Sequence, residues 1–384
     1  MKTETRRIAI NFGGGYAPGL NAVVTGAVLA ARGLGWDVVG IRDGFDGLLF
    51  QDRYPEGGLM RLVPGIVKNL AGVGGCILGT GARSDPFHVR SVNADNIVEE
   101  LDRSDELLAL IRKEGIDAVI SVVSPGALGI LLKMHRKGLK TVCVPKSVEN
   151  DVEGTMLSFG FNSTLSFVAE MLERTRQAAQ SSQKIGVVEV LGKHAGWLAL
   201  QAGIAVCADA VLMPEIPYDL GKVATALRDN FKAGRTSGLV VVAEGARPLA
   251  EPTLASRVDA GVKAALSPGA TGGSGSHVID RSGRVAEDVA LELQRLTDRE
   301  TYPLVLGQLA KAGAPTVVDR QLGLSYGAAA VRALAEGRDG VMVAFQAPDV
   351  KFIPLAEAIN RVRAVPVEGG FVQTARCLGI SLGD

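Results

Sequence analysis

The sequence predicts an α/β fold in two lobes, with mainly parallel sheets that are flanked by helices. Short apolar runs recur along the chain without alternating polar residues, which is typical of strands buried on both faces. Each run is followed by glycine or a turn and then by a helical pattern, and this order favours parallel sheets. The chain has 384 residues, and because single cores stop growing near about 250–300 residues, two lobes are expected.

The elements follow from these patterns in chain order. The predicted strands are Arg7–Phe12, Trp36–Ile41, Ala118–Val123, Thr141–Val144, Ile185–Val190, Ala210–Met213, Leu239–Ala243 and Val341–Phe345. The predicted helices are Leu20–Arg32, Ser104–Lys113, Gly126–Lys137, Ser163–Ala179, Leu220–Lys232 and Gln321–Glu336. Because ligands gather at the carboxyl ends of parallel strands, the turns that follow the strands are where a site is expected.

Composition narrows the class of protein. Lys plus Arg and Asp plus Glu both number 41, and this balance gives no support for a nucleic-acid or membrane partner. The four cysteines are scattered without paired spacing, which favours reduced thiols over disulfides or a metal site. The first residues show no signal-peptide core, and no apolar run is long enough to span a bilayer. We therefore expect a soluble, cytoplasmic protein.

A glycine-rich turn, Gly13–Asn21, follows the first predicted strand and leads into the first helix. Glycine lets the backbone approach an anion closely, and the helix that follows presents unpaired N–H groups. The turn fits neither the Rossmann fingerprint nor the P-loop. From the residues alone, a phosphate cradle and a plain tight turn stay equally open.

A polar turn, Pro145–Thr155, follows the strand that ends at Val144. It carries a lysine, a hydroxyl and two carboxylates at the carboxyl end of a strand. Such a group could remove a proton from a substrate hydroxyl and hold a phosphate. A solvated turn is the alternative, and the position of the turn at a ligand-binding edge counts against it.

Five motifs resemble those of the phosphofructokinase family, and they occur in family order over roughly Arg7 to Gly327. The glycine-rich turn reads GGGYAPGLN, similar to GGDAPGMN, and Pro145–Asp151 reads PKSVEND, similar to PKTIDND. Three further segments also resemble family motifs. Gly74–Arg83 resembles GGTxLGSxR, Gly192–Trp197 resembles GRHAGW, and Glu300–Thr316 resembles ETR…LGHxQRGGxPT.

The resemblance implies a two-lobed phosphofructokinase-type enzyme of glycolysis that phosphorylates fructose 6-phosphate. It implies ATP or pyrophosphate as donor, magnesium as cofactor, and dimers or tetramers. Pro145-Lys146 and the His-Ala-Gly-Trp segment are more similar to the pyrophosphate-using branch. The donor lobe is expected at residues 1–160 plus about 305–345, and the sugar-phosphate lobe at 161–304 plus about 346–384.

On the donor side, the resemblance assigns catalysis to Glu149, as general base, and to Asp151. Glu149 stands where the family has aspartate, and the extra methylene displaces its carboxylate by about an ångström. The predicted ligands of the donor phosphates are Gly14, Gly15, Arg83, Gly126 and Lys146.

Two carboxylates of the family's donor site are missing from this sequence. Pro125 replaces the aspartate that holds the magnesium–phosphate complex, and Tyr16 replaces the aspartate of the glycine-rich loop. Ser124 and Pro125 instead form a good helix start, with serine as the cap and proline in the first turn. Magnesium binding is therefore left open, and no metal ligand is assigned.

The acceptor side departs from the family as well. Tyr302 and Gln308 replace an arginine and a histidine that bind the sugar phosphate, while Lys193 and Lys311 replace arginines and lose their two-pronged grip on phosphate. Lys184 stands where an arginine commonly reaches the sugar phosphate of the neighbouring subunit. The full set of predicted substrate ligands is Ser147, Lys184, Leu191, Gly192, Lys193, Glu244, Tyr302, Gln308 and Lys311.

The preferred hypothesis from the sequence is a catalytically impaired paralogue. It would bind phosphorylated small molecules and act as a regulatory or structural subunit beside an active phosphofructokinase, because each lost contact typically costs about 10²–10³ in rate. The alternative is an active enzyme that phosphorylates fructose 6-phosphate or a related sugar phosphate. A third hypothesis is a sensor of nucleotides or sugar phosphates that has no partner enzyme.

Overall fold

A computed structural model describes residues 6–81, 85–92, 98–249, 284–359 and 361–384. The backbone divides into two compact units, Met1–Thr164 with Lys311–Arg363 and Leu165–Ala310 with Ala364–Asp384. Within the described ranges, no helix combines the length and the apolar character that crossing a membrane requires.

The first unit contains an eight-stranded sheet. Its strands are β1 (Arg7–Gly13), β2 (Asp37–Ile41), β3 (Leu59–Arg61), β6 (Ala118–Val123), β7 (Thr141–Ser147), β8 (Phe159–Gly160), β13 (Val341–Gln346) and β14 (Asp349–Pro354). The order is β14-β13-β7-β6-β1-β2-β3, and β8 pairs with β7. The sheet is parallel except for the edge strands β3 and β14. A separate antiparallel hairpin is formed by β4 (Val89–Val92) and β5 (Val98–Leu101).

Helices cover both faces of this sheet. They are α1 (Leu20–Gly33), α2 (Asp46–Leu49), α3 (Pro64–Val67), α4 (Ser104–Lys113), α5 (Leu128–Arg136), the first residues of α6 (Phe161–Ser182), α10 (Val317–Ala335) and α11 (Leu355–Ala358). Ile8, Ile10 and Phe12 of β1 pack into the core that contains α1 and α10, while Ala9 packs into the opposite core. Burial on both faces explains the uninterrupted apolar runs of the central strands.

The second unit contains a four-stranded parallel sheet. Its strands are β9 (Ile185–Val190), β10 (Ala210–Leu212), β11 (Gly238–Ala243) and β12 (Thr301–Val305), in the order β10-β11-β9-β12. The helices of this unit are the remainder of α6, then α7 (Trp197–Ala205), α8 (Leu220–Lys232), α9 (Arg284–Thr297) and α12 (Gly370–Cys377). Apolar side chains of β9 and β11 pack against α8 and α9 to form the core.

The predicted α/β class with mainly parallel sheets is confirmed, and several bounds differ. The helices predicted at Ser163–Ala179 and Gln321–Glu336 are observed at Phe161–Ser182 and Val317–Ala335. Residues 346–363, predicted in the second lobe, belong to the first unit. The reason is that β14 pairs antiparallel with β13 and thereby extends the first sheet.

Candidate functional site

The carboxyl ends of three adjacent strands lie side by side in the first unit. β6 pairs in parallel with β1 on one side and with β7 on the other, so that Val123 aligns with both Gly13 and Pro145. The turns that follow these strands therefore leave the same edge of the sheet. These turns contain the glycine-rich segment, the Ser-Pro-Gly segment and the acidic segment that the sequence predicted as a donor site.

The glycine-rich turn has a backbone that only glycine adopts easily. Gly14, Gly15 and Gly19 have φ values of 65°, 40° and 103°, which lie in the left-handed region. A Cβ at Gly14 would also lie 2.5 Å from the Ser124 hydroxyl oxygen of the neighbouring turn. The absence of side chains lets the two turns pack closely, and it leaves the loop backbone exposed toward the edge.

Lys146 fixes this loop. Its ammonium donates hydrogen bonds to the carbonyl oxygens of Gly14 and Gly15, and the residue is 3% exposed. Burial lowers the pKa of Lys146 from 10.5 to about 7, and the positive charge of Lys311 acts in the same direction. Lys146 was predicted as a ligand of the donor phosphate, and in the structure its hydrogen bonds hold the loop that would surround that phosphate.

Ser147 connects the two acidic residues of the next turn. Its hydroxyl donates a hydrogen bond to Asp151 Oδ1 and accepts the Glu149 backbone N–H at 3.1 Å. Asp151 is buried, and Glu149 is half-buried. Ser147 was predicted to bind the sugar phosphate, and in the structure it lines the cavity described below, with its hydroxyl bonded to the acidic turn.

These residues surround a cavity of about 230 Å³ that lies wholly within the first unit. Its charged groups are two cations and two carboxylates, and the complete lining is Gly14, Gly15, Tyr16, Ala17, Ser124, Pro125, Lys146, Ser147, Val148, Glu149, Asp151 and Lys311. Such a cavity can hold an anionic group near Lys146 and Lys311, with a carboxylate available to accept a proton.

The turn after β6 begins as predicted in one respect and differs in another. Pro125 occupies the start of a 3₁₀ turn, Pro125–Ala127, that leads into α5. Ser124 precedes it in an extended conformation, and its side chain makes no capping hydrogen bond, so the predicted serine cap is wrong. The hydroxyl lies beside Gly14 instead, where it lines the cavity. Gly126, predicted to bind donor phosphate, lies in this turn but is not part of the lining.

Four of the predicted sugar-phosphate ligands come together in the second unit. Leu191, Gly192 and Lys193 follow the carboxyl end of β9, and Glu244 follows that of β11. The two turns are tied by hydrogen bonds from the Gly245 N–H to the Gly192 carbonyl and from the Glu244 N–H to the Val190 carbonyl, at 3.1 and 3.0 Å. Neighbouring parallel strands thus place a cation and a carboxylate at one edge.

Lys184 and Tyr302 lie at the opposite, amino-terminal end of the same sheet. Tyr302 aligns with Gly186 at the start of β9, about 16 Å along the strand from Leu191 at about 3.3 Å per residue. The Tyr302 hydroxyl donates to the Thr175 carbonyl at 2.8 Å, and Lys184 forms an ion pair with Glu300 at 2.6 Å. Within one chain, these two residues are separated from the Leu191–Lys193 group.

The remaining predicted residues complete this comparison. Gln308 is exposed and follows β12, while Lys311 belongs to the first unit and lines the cavity. Arg83 lies outside the described residues. Ala17 and Val148, which were not predicted, also line the cavity, and their positions inside the two motif turns were the available signal.

The carboxylates of the cavity can be compared with the needs of a divalent cation. Magnesium is commonly held by one or two carboxylates together with phosphate oxygens of the substrate. Glu149 and Asp151 supply two such carboxylates. Within the ranges that the structure covers, no cluster of three or more His, Cys, Asp or Glu side chains suits a metal ion. The donor set therefore fits magnesium only when phosphate oxygens complete it.

Comparison with known proteins adds a consistent result. The profile of the phosphofructokinase family matches residues 7–334. The ATP-dependent 6-phosphofructokinase of Chloroflexus aurantiacus is 36% identical over 100% of this chain and 99% of its own length.

Solved structures share the fold of this chain. Pyrophosphate-dependent phosphofructokinase from Nitrosospira multiformis gives a TM-score of 0.72 at 20% identity, covering 100% of this chain and 93% of that chain. Phosphofructokinase from Saccharomyces cerevisiae gives a TM-score of 0.70 at 25% identity over 92% of this chain. This chain spans 45% of the length of the yeast chain.

Proposed function

Because this chain belongs to the phosphofructokinase family, we propose that it phosphorylates fructose 6-phosphate, or a related sugar phosphate, with ATP or pyrophosphate as donor. Such a reaction is a step of glycolysis. The observation that carries the proposal is the cavity of the first unit, in which Lys146, Glu149 and Asp151 from the end of β7 and the turn after it lie together with Lys311. The ATP-dependent names of the curated relatives favour the active enzyme over the impaired paralogue.

The chemistry asks little covalent work of the protein. Phosphoryl transfer depends on positioning and on electrostatic stabilisation of the transferred group. Lys146 holds the Gly14 and Gly15 backbone in place, and the charges of Lys146 and Lys311 stabilise the donor phosphates. Glu149 is the group that accepts the proton of the attacking sugar hydroxyl, and Ser147 keeps the acidic turn in register with it.

Magnesium fits this proposal as an ion that the protein and the donor phosphates would coordinate together. Asp151, with phosphate oxygens of the donor, would hold the cation, and Glu149 would keep the role of base. When bound, the cation would neutralise charge on the donor phosphates. The Leu191–Lys193 turn and Glu244 of the second unit are the residues that we propose for the sugar phosphate.

A second candidate function is favoured by Pro125 and Tyr16. Both line the cavity at positions where the family supplies carboxylates, and a site that lacks them holds a metal–phosphate complex less well. On this proposal the chain binds phosphorylated ligands and regulates an active phosphofructokinase in a mixed dimer or tetramer.

The test is a coupled assay of the purified chain with fructose 6-phosphate, magnesium and either ATP or pyrophosphate. Glu149→Gln, purified in the same way, is the matched control, because it keeps the shape of the side chain and removes the base. Turnover that falls by about 10²-fold or more in the control supports the proposed function. Equal rates in both preparations would mean that the turnover comes from a contaminant.

The second candidate predicts a different pattern. The chain alone would show only trace turnover, and its addition to a phosphofructokinase from the same cell would change the rate or half-saturation of that enzyme. Pro125→Asp would then raise the rate of the chain alone by about 10²-fold or more, since one electrostatic contact is worth that much. Pro125→Asn is the control, because it has the same size without the charge.

A further inference from the structure

The acidic turn is a long irregular segment that must be held from outside. It runs from the end of β7 at Ser147 to the start of β8 at Phe159 and contains neither helix nor strand. Asn150 lies between the two acids with φ of 54°, a left-handed conformation that asparagine tolerates better than most residues. A segment of this kind does not fix the direction of its side chains by secondary structure alone.

The far half of the turn is anchored within the core of the first unit. The fully buried Tyr326 donates its hydroxyl to the Leu157 carbonyl at 2.6 Å and lies 2.9 Å from the Thr155 hydroxyl. The Asn150 side chain joins the two halves, because its Oδ1 accepts the Ser158 N–H at 3.0 Å. These bonds hold residues 155–158 and do not involve the side chains of Glu149 and Asp151.

The acidic half is held by Arg363. Its backbone N–H donates to the Asp151 carbonyl at 2.9 Å, and its guanidinium Nη1 donates to the Asn150 carbonyl at 3.2 Å. A bridge between Val152 and Val362 continues the contact. Arg363 is half-buried, and hydrogen bonds from a charged donor are roughly twice as strong as neutral ones. Arg363 thus holds the backbone at Asn150 and Asp151, while Ser147 holds the Asp151 carboxylate.

We propose that Arg363 is a positioning residue that sets the orientation of Glu149 and Asp151 for phosphoryl transfer. The inference rests on the proposed function for its kinetic consequence and on the geometry alone for its structural one. Arg363 acts through the Asn150 and Asp151 backbone and is not among the residues that line the cavity. Loss of its side chain loosens the acidic half, while Tyr326 still anchors the other half.

The experiment compares Arg363→Met with wild type and with Arg361→Met, an exposed arginine two residues earlier that serves as the matched control. Hydrogen–deuterium exchange is followed for residues 149–153 and for residues 155–158. We expect faster exchange of the first segment in Arg363→Met only, with the second segment unchanged. Unchanged exchange of residues 149–153 in Arg363→Met overturns the proposal.

Kinetics supply the second measurement. A misplacement of about one ångström costs up to about a hundredfold in rate, so we expect kcat to fall tenfold to a hundredfold in Arg363→Met with the acceptor KM unchanged and partial recovery in Arg363→Lys. If both methionine variants show a lower kcat, a higher KM and a lower melting temperature, the effect is a general structural one, and this outcome would overturn the proposal. If wild type has no activity, the proposed function fails, and the exchange measurement still decides the role of Arg363.

Discussion

Lys146 combines a positive charge with almost complete burial, and this makes the stability of the fold depend on pH. Burial lowers its pKa from 10.5 to about 7. Between these values the unfolded chain binds more protons than the folded one, so the free energy of unfolding rises with pH, while below the folded pKa this group adds no pH dependence. We expect the unfolding free energy of wild type, relative to Lys146→Met, to increase as pH rises from about 7 toward 10.5.

Urea denaturation at a series of pH values measures this difference. Lys113→Met is the control, because Lys113 is exposed at the end of α4, and its difference from wild type should stay constant over the same range. A Lys146→Met difference that is equally flat would contradict the burial of a charge at this position.

Individual residues show what motifs can predict and what they cannot. The turns after β1 and β7 were predicted as a donor site, and Gly14, Gly15, Lys146, Glu149 and Asp151 do line one cavity. The partners of these side chains were not predictable. Whether the ammonium of Lys146 faces a ligand or two carbonyl oxygens depends on the left-handed path of the glycine loop, which no residue pattern specifies.

The helices α1 and α10 approach each other at the level of their backbones. Ideal Cβ atoms on Gly26 of α1 and on Gly327 of α10 would collide with the backbone of the partner helix, and one on Gly323 would lie 3.1 Å from the Gly19 carbonyl oxygen. Because α1 begins directly after the glycine-rich turn, this packing also determines where the turn lies relative to the sheet.

Gly26→Ala is therefore expected to destabilise the protein by about 1–3 kcal/mol, the usual cost of overpacking. Gly129→Ala is the matched control, since Gly129 lies in α5 with open space around its Cβ position. It should stabilise by about 0.5–1 kcal/mol, because alanine favours a helix over glycine. Chemical denaturation measures both. Stabilisation in both variants would contradict close packing of α1 against α10.

At the level of elements, the strand β12 was not predicted from the sequence pattern. Its residues Thr301–Val305 include Pro303, and the second half of the strand is exposed. Proline is confined to edge strands and strand starts, and β12 is indeed the edge of its sheet. The central strands were predictable because burial on both faces makes them continuously apolar, whereas an edge strand has no such requirement.

At the level of the whole chain, two units were predictable from length, and their boundary was not. The segment 346–363 was expected in the second lobe, but β14 completes the sheet of the first unit through antiparallel pairing with β13. Antiparallel neighbours need only a short turn, so a chain that has just formed β13 can pair locally before it leaves the unit. The family motifs end at about Gly327, so they give no signal that residues 346–363 pair with the sheet of the first unit.

Ligand binding connects the cavity to the stability of the whole chain and tests the donor without requiring turnover. A ligand that binds only the folded state at about a hundred times its Kd adds about 2.7 kcal/mol to the free energy of unfolding. We expect pyrophosphate or ATP, with magnesium, to raise the melting temperature of wild type, and the more effective of the two identifies the donor.

In Lys146→Met, measured against its own ligand-free baseline, the shift should be lost, because the glycine loop is released and a positive charge is removed. Lys113→Met should retain the full shift. If neither donor changes the melting temperature of wild type, the cavity does not bind donor phosphates, and both the active enzyme and the ligand-binding subunit are contradicted at once.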